Sequence, residues 1–153
     1  MCIRDSLCEG QTLLQRLKGL GTLCAATLEV KDDVVPGKGA PGGVVTALLQ
    51  ASTDFVLLVC CDMPRVDAAA LERLVTEEAL AGFEVDGRIE PFPGLYPRAL
   101  GPLWRERLAS NPSMTALLAE SRCRAVPLSQ IDRRVVRSVN TSDDARELGV
   151  DIP

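Results

Sequence analysis

Histidine is absent from all 153 positions. Its absence removes Ser-His-Asp triads, Cys-His dyads and His-ligated zinc from consideration. No apolar stretch approaches the roughly 18 residues needed to cross a bilayer, so no membrane partner is expected. The start lacks a basic region followed by an apolar core and does not read as a secretory signal. The six cysteines (Cys2, Cys8, Cys24, Cys60, Cys61, Cys123) show no CxxC spacing. Without a secretory signal they read as reduced thiols, which predicts a cytoplasmic protein. Basic groups are not in excess: 17 Lys and Arg stand against 21 Asp and Glu, a net charge of −4. Non-specific nucleic-acid binding needs basic groups that displace counterions, so no nucleic-acid partner is expected. Internal repeats, charge blocks and linker-like tracts are also missing.

What is present fits one domain over residues 1–153. The length suits a single core, and the apolar fraction of 46% is ordinary for a globular chain. The chain is organised around Asp54-Phe55-Val56-Leu57-Leu58-Val59-Cys60-Cys61-Asp62-Met63-Pro64. Phe55 to Cys61 is an unbroken apolar run, which predicts a parallel strand covered on both faces. Pro64 cannot donate to a ladder, so the strand must stop near Asp62. Open α/β sheets bind ligands at strand tips. A carboxylate there suits Mg²⁺ carrying substrate phosphates, and it equally suits the capping of a turn.

The remaining elements alternate. Met1 to Ser6 has no pattern, and Leu7 to Gly10 reads as a short strand or turn. Gln11 to Leu20 has helical spacing, and Leu23 to Lys31 can be a strand followed by Asp32 and Asp33. A glycine-rich loop, Val34 to Gly43, leads into a short helix over Val44 to Ala51. Asp67 is a candidate N-cap for a helix over Ala68 to Ala81 ended by Gly82, with Val66 and Leu71 at staple spacing. Phe83 to Val85 reads as a weak strand and Asp86-Gly87 as a tight turn. Ile89 to Tyr96 carries prolines and reads as an irregular or edge strand. Leu100 to Ala109 and Met114 to Glu120 read as helices, Arg124 to Leu128 and Val135 to Val139 as strands. Thr141 or Ser142 can cap a last helix that ends before Gly149. Alternation of this kind predicts an α/β fold with a mainly parallel sheet.

Gly37-Lys38-Gly39-Ala40-Pro41-Gly42 satisfies the GxGxxG pattern, with Asp62 about 20 residues on, which is one route to an NAD-binding module. Pro36 interrupts the strand such a turn requires, and Pro41 lacks an amide hydrogen where pyrophosphate would be met. A plain loop with turn glycines is the simpler alternative.

The run from Asp32 through Pro36-Gly37, Gly39-Ala40-Pro41-Gly42-Gly43-Val44 and a helix to Val59-Cys60-Cys61-Asp62-Met63-Pro64 resembles the molybdenum cofactor guanylyltransferases. Gly10-Gln11-Thr12-Leu13-Leu14 resembles the turn before that family's first long helix. Val139-Asn140-Thr141-Ser142-Asp143-Asp144 resembles its Asn-x-Asn-Thr-Pro-acid segment. The resemblance runs from about Leu7 onward. It implies a three-layer αβα, nucleotide-diphospho-sugar-transferase-like (Rossmann-like) fold and GMP transfer from GTP to the molybdopterin-bound molybdenum cofactor. By the same resemblance Asp62 is the catalytic residue and holds Mg²⁺. Asp32, Gly39, Gly42, Gly43 and Asn140 contact substrate, the glycines through close backbone approach. From the residues alone, Asp32 also reads as a solvated strand-end acid, Asn140 as a turn or capping residue, and Lys38 as a solvated loop lysine.

The chain departs from that pattern. The family's opening glycine-rich loop, Arg-Met-Gly turn and lysine have no counterpart here, Ser138 stands for an asparagine, and Ser142 for a proline. The expectation is a truncated, internally deleted member with residues 1–6 foreign to the fold and impaired transfer. Related cytidylyl or sugar-phosphate nucleotidylyl transfer, and a non-catalytic remnant, are the alternatives.

Overall fold

The computed structural model describes residues 32–60, 62–128 and 132–149. The elements expected within residues 1–31 lie outside them, as do Cys2, Cys8, Cys24 and Cys61. Phe55–Leu58 (β1), Ala81–Val85 (β2), Arg88–Pro97 (β3) and Arg124–Pro127 (β4) form one sheet in the order β1–β3–β2–β4. β3 runs antiparallel to both β1 and β2, and β4 runs parallel to β2. Hence β1, β2 and β4 point the same way and β3 alone is reversed. The mainly parallel expectation holds for strand direction, while two of the three pairings are antiparallel.

β3 corrects the reading of Ile89 to Tyr96 as an edge strand, since it is the interior strand that joins β1 to β2. Its prolines are accommodated outside the ladder. Gly94 pairs with Gly82, and Ile89 pairs with Glu84. The four residues Glu90–Pro93 therefore stand opposite Phe83 alone, an arch rather than a ladder segment. Pro91 and Pro93 have no amide hydrogen to leave unpaired there. β1 is shorter than the apolar run implied, because its last partner is Gly94, where β3 lifts into the arch. Both of its faces are packed, though incompletely: Val56 and Leu58 join one core cluster and Leu57 reaches the other, while Phe55 at the start is 37% exposed.

The helices are Gly39–Gln50 (α1), Ala68–Val75 (α2), Leu100–Arg107 (α3), Met114–Glu120 (α4) and Ser142–Leu148 (α5). Local chemistry sets most of their starts. Asp67 accepts from the Ala70 amide at 2.9 Å, Ser113 caps α4, and Thr141 with Asp144 forms a capping box on α5. α2 stops six residues earlier than expected. Glu78 turns the chain at φ 47°, and Ala81 and Gly82 are consumed by β2. Residues 132–136 form a 3₁₀ turn where a strand beginning at Val135 was expected. Adjacent Val135 and Val136 are both buried there against the same cluster, which the alternation of a strand would separate. Asp86 and Gly87, both at positive φ, make the expected turn between β2 and β3.

Two layers of helix flank the sheet. Val44, Val45 and Leu48 of α1, Trp104 of α3 and Leu117 of α4 pack with Tyr96 on one face. Ala70 and Leu74 of α2, with the 132–136 turn, pack on Ala81, Phe83, Leu95 and Val126 on the other. The three-layer αβα expectation is thereby met. Among the described residues no helix is long and apolar enough to cross a membrane.

Candidate active site at the carboxyl edge of the sheet

Because β1, β2 and β4 share a direction, their carboxyl ends define one edge. Only Ala51–Asp54 separates α1 from β1. So short a link turns the chain back on itself, and the twelve residues of α1, about 18 Å long, return its amino end to that edge.

Asp62 stands in the turn beyond β1. The Met63 amide donates to the Cys60 carbonyl at 3.3 Å and the Val66 amide to the Met63 carbonyl at 3.4 Å, so the chain coils tightly around it. One carboxylate oxygen, Oδ1, is buried and has no hydrogen-bond partner. A buried carboxylate oxygen without a donor costs free energy, and a cation is the partner that removes that cost. Among the described residues no three Asp, Glu or Cys side chains gather as a ready-made metal cage. A single carboxylate still fits Mg²⁺, which keeps most of its water and leans on substrate phosphates.

The glycine turn is built differently from the expectation. The helix starts at Gly39, not near Gly43, so Gly42 and Gly43 lie buried inside its first turns. Pro41 is tolerated because first-turn amides have no intrahelical acceptor. Gly39 sits at φ +57°, which a side chain would strain. Residues 32–38 are bends and turns, so no strand feeds Gly37 as a dinucleotide fold requires. Thr46, fully buried, accepts from the Val34 amide and donates to the Gly42 carbonyl, both at 2.9 Å. These bonds fasten the loop to α1.

Of the two neighbouring acids, Asp33 faces the turn. Its Oδ2 lies 3.5 Å from the point a Cβ on Gly42 would occupy. Asp32 is exposed and makes no hydrogen bond or ion pair with the described residues. Lys38 is not simply solvated: it is half-buried and its Nζ donates to Asn111 Oδ1 at 2.5 Å.

Asn140 reaches the edge through the backbone. The Val139 amide donates to the Asp62 carbonyl at 2.8 Å. Asp144 accepts from the Asn140 and Thr141 amides at 3.1 and 2.9 Å. The Thr141 hydroxyl, the strongest influence, and the Asn140 amide after it hold the Asp144 carboxyl below its ordinary range. Thr141, not Asn140, is the helix cap, so the exposed Asn140 side chain is left available.

Two contributors escaped the sequence reading. Arg65 donates from Nε to the Leu148 carbonyl at 2.9 Å and from Nη2 to the Gly149 carbonyl at 3.0 Å. It caps α5 and clamps that helix to the turn carrying Asp62. The Glu90–Pro93 arch also rises at this edge, between Ile89, paired near the carboxyl end of β2, and Gly94, opposite the last residue of β1. The Pro-x-Pro-Gly cluster inside an apolar run was its visible signal.

A mixed sheet between helical layers, with a glycine turn and an acid at its carboxyl edge, is the architecture of nucleotide-diphospho-sugar-transferase-like proteins. The fold matches the crystal structure of molybdopterin-guanine dinucleotide biosynthesis protein A from Archaeoglobus fulgidus with a TM-score of 0.66. That match covers 95% of this chain and 88% of the other at 18% identity. Residues 10–126 match the profile of the MobA-like NTP transferase domain, and the chain belongs to that family. It is 27% identical over 125 residues to a probable molybdenum cofactor guanylyltransferase of Flavobacterium johnsoniae. It is 32% identical over 93 residues to a protein of the same description from Peptoclostridium acidaminophilum. These alignments take in 78% and 54% of this chain, and 66% and 42% of the relatives, less than two thirds of either.

Proposed function

We propose that the protein transfers GMP from GTP to the molybdenum cofactor, forming molybdopterin guanine dinucleotide and releasing pyrophosphate. The observation that carries this reading is the partnerless, buried Oδ1 of Asp62 at the carboxyl edge, in a chain whose relatives are described as guanylyltransferases. Asp62 would hold Mg²⁺. When bound, the ion supplies charge neutralisation for the phosphates. Nucleotidyl transfer needs orientation and electrostatics more than a protein base, so a chain without histidine is suited to it. Gly39 would set the backbone approach at the amino end of α1, where amides and the helix dipole favour anionic groups, and Gly42 and Gly43, buried in the first turns, would act by letting the chain pack closely beneath it. Asp32 and Asn140 would supply polar contacts from the flanking loops. A cytoplasmic location fits a reaction on these soluble substrates.

The test is equilibrium titration with GTP-Mg²⁺, CTP-Mg²⁺ and NAD, followed by an assay of GMP transfer to molybdopterin cofactor. Saturable binding of GTP, weaker binding of CTP and none of NAD are expected. Preference for CTP would redirect the reading to cytidylyl transfer, and binding of NAD alone would overturn it.

A further inference from the structure

We infer that Thr46 is a positioning residue for the nucleotide: its buried hydroxyl holds residues 33–38 ready against the amino end of α1, in the shape that receives GTP. The inference rests on the transferase reading above. Thr46 is the eighth residue of α1, about 10 Å along the axis from Gly39. Among the described residues it is the one polar side chain buried whole. Its neighbours Val45, Ala47 and Leu48 are apolar and buried, so a valine of the same shape would fill the place with no hydroxyl to satisfy. The use of the hydroxyl lies in its two bonds. The Gly42 carbonyl, four residues back, takes its single hydrogen at 2.9 Å, the ordinary back-bond of a threonine inside a helix. That leaves the oxygen free to accept, and it accepts the Val34 amide at 2.9 Å from twelve positions away.

The loop so held is fastened twice more. Gly42 is bare where the loop crosses α1. A Cβ there would stand 3.0 Å from Lys38 Cβ, 3.2 Å from the Val35 carbonyl oxygen and 3.5 Å from Asp33 Oδ2. Three residues of the loop thus meet one Cα. At the far end the Lys38 ammonium, bound to Asn111 Oδ1, ties the loop to the link between α3 and α4. Yet this is a surface segment: Asp32, Val34, Pro36 and Gly37 are exposed. Exposed loops are ordinarily the mobile part of a fold. One that is pinned has met its ordering cost before a ligand arrives, and the return is affinity. The loop also belongs to the site already described. Val35 and Ala40 pack against the cluster that contains Cys60 and Met63, which stand on either side of Asp62 in the chain. Of the three fastenings, the Thr46 hydroxyl is the one that can be removed with the shape of the side chain unchanged.

Steady-state transfer and direct titration with GTP-Mg²⁺ should be measured for wild type, Thr46→Val, Thr46→Ser and Ser113→Ala, with the thermal midpoint of each. Thr46→Val leaves the Val34 amide without its acceptor. It should raise KM and Kd for GTP about three- to tenfold, with kcat and KM for the acceptor changed less than about twofold. Thr46→Ser keeps the hydroxyl and loses a buried methyl. Its midpoint should fall while KM for GTP returns to within about twofold of wild type. Ser113→Ala removes the cap of α4, away from the loop, and should lower only the midpoint. The wild type gives a second reading: hydrogen exchange at the Val34 amide should already be slow before nucleotide is added. Three results would each overturn the inference and leave the transferase reading intact. They are an unchanged KM for GTP in Thr46→Val, an equal rise in Thr46→Ser, and a Val34 amide that exchanges freely until GTP-Mg²⁺ binds. A wild-type protein that neither binds GTP-Mg²⁺ nor transfers GMP overturns both.

Discussion

Asp62 shows how a single residue can trade stability for chemistry. Its buried, partnerless oxygen costs the folded state free energy, and the cost is tolerated where a cation or donor arrives with the substrate. Asp62→Asn should reduce GMP transfer about 10²–10³-fold. The same variant should melt at the wild-type temperature or above it, because an unpartnered carboxylate has been removed from a buried setting. A fall in melting temperature matching the fall in activity would make Asp62 structural. This residue was legible because everything that places it is local: seven apolar residues, an acid, and a proline two positions on. Lys38 was not legible, since its partner Asn111 lies 73 positions away. The resemblance singled out Asp32, whereas Asp33 is the acid that faces Gly42; which carboxylate does so depends on how the loop packs on α1.

Among the elements, α5 and its amino-terminal box decide whether Asn140 is presented. Thr141 and Asp144 bond reciprocally and also fix the Asn140 amide. Thr141→Ala should cost about 1 kcal/mol of stability, read by chemical denaturation. The Asp144 carboxyl is held below its ordinary value, so its contribution is full above the ordinary carboxylate range. That contribution is lost as pH falls through the lowered, folded value. Amide protection of residues 140–148 should thus fade in acid before that of β2 and β3, and the early fading should vanish in Asp144→Ala. Helix starts of this kind were readable, because Asp67 and Thr141 act within three residues of themselves. The end of α2 was not. Leu80 and Ala81 suit a helix as well as a strand, and the decision was made by the ladders β2 forms with β3 and β4. The prolines announced the irregularity of Ile89 to Tyr96 but not its interior place, because proline content alone does not say whether a chain leaves a sheet or borders it.

At the scale of the whole molecule, the layers and the general strand direction followed from the alternation of elements, and the reversal of β3 did not. Nothing in ten residues of sequence states which way they will be laid between two earlier strands. The clamp by Arg65 is likewise a matter of global arrangement, joining residues 83 positions apart. Arg65→Met keeps much of the stem and removes the bonds to the Leu148 and Gly149 carbonyls. It should raise hydrogen exchange over residues 139–149 and weaken GTP-Mg²⁺ binding less than it weakens acceptor use. Equal exchange in variant and wild type would show that the Val139–Asp62 bond suffices alone.

The strand order also sets a clock on synthesis. Among the described residues β1 pairs only with β3, and the first bonded register, Phe55 with Pro97, needs the far end of that strand. From Leu58 to Pro97 the ribosome must add 39 more residues, which at about 5–20 residues per second takes roughly 2–8 s. For that interval the apolar run that precedes Asp62 has its partner strand unmade. The strand that carries the site to its edge is among the first of the sheet to be synthesised and must wait for β3. The ladder that fixes β1, and with it the position of Asp62, can therefore close only after β3 has been made.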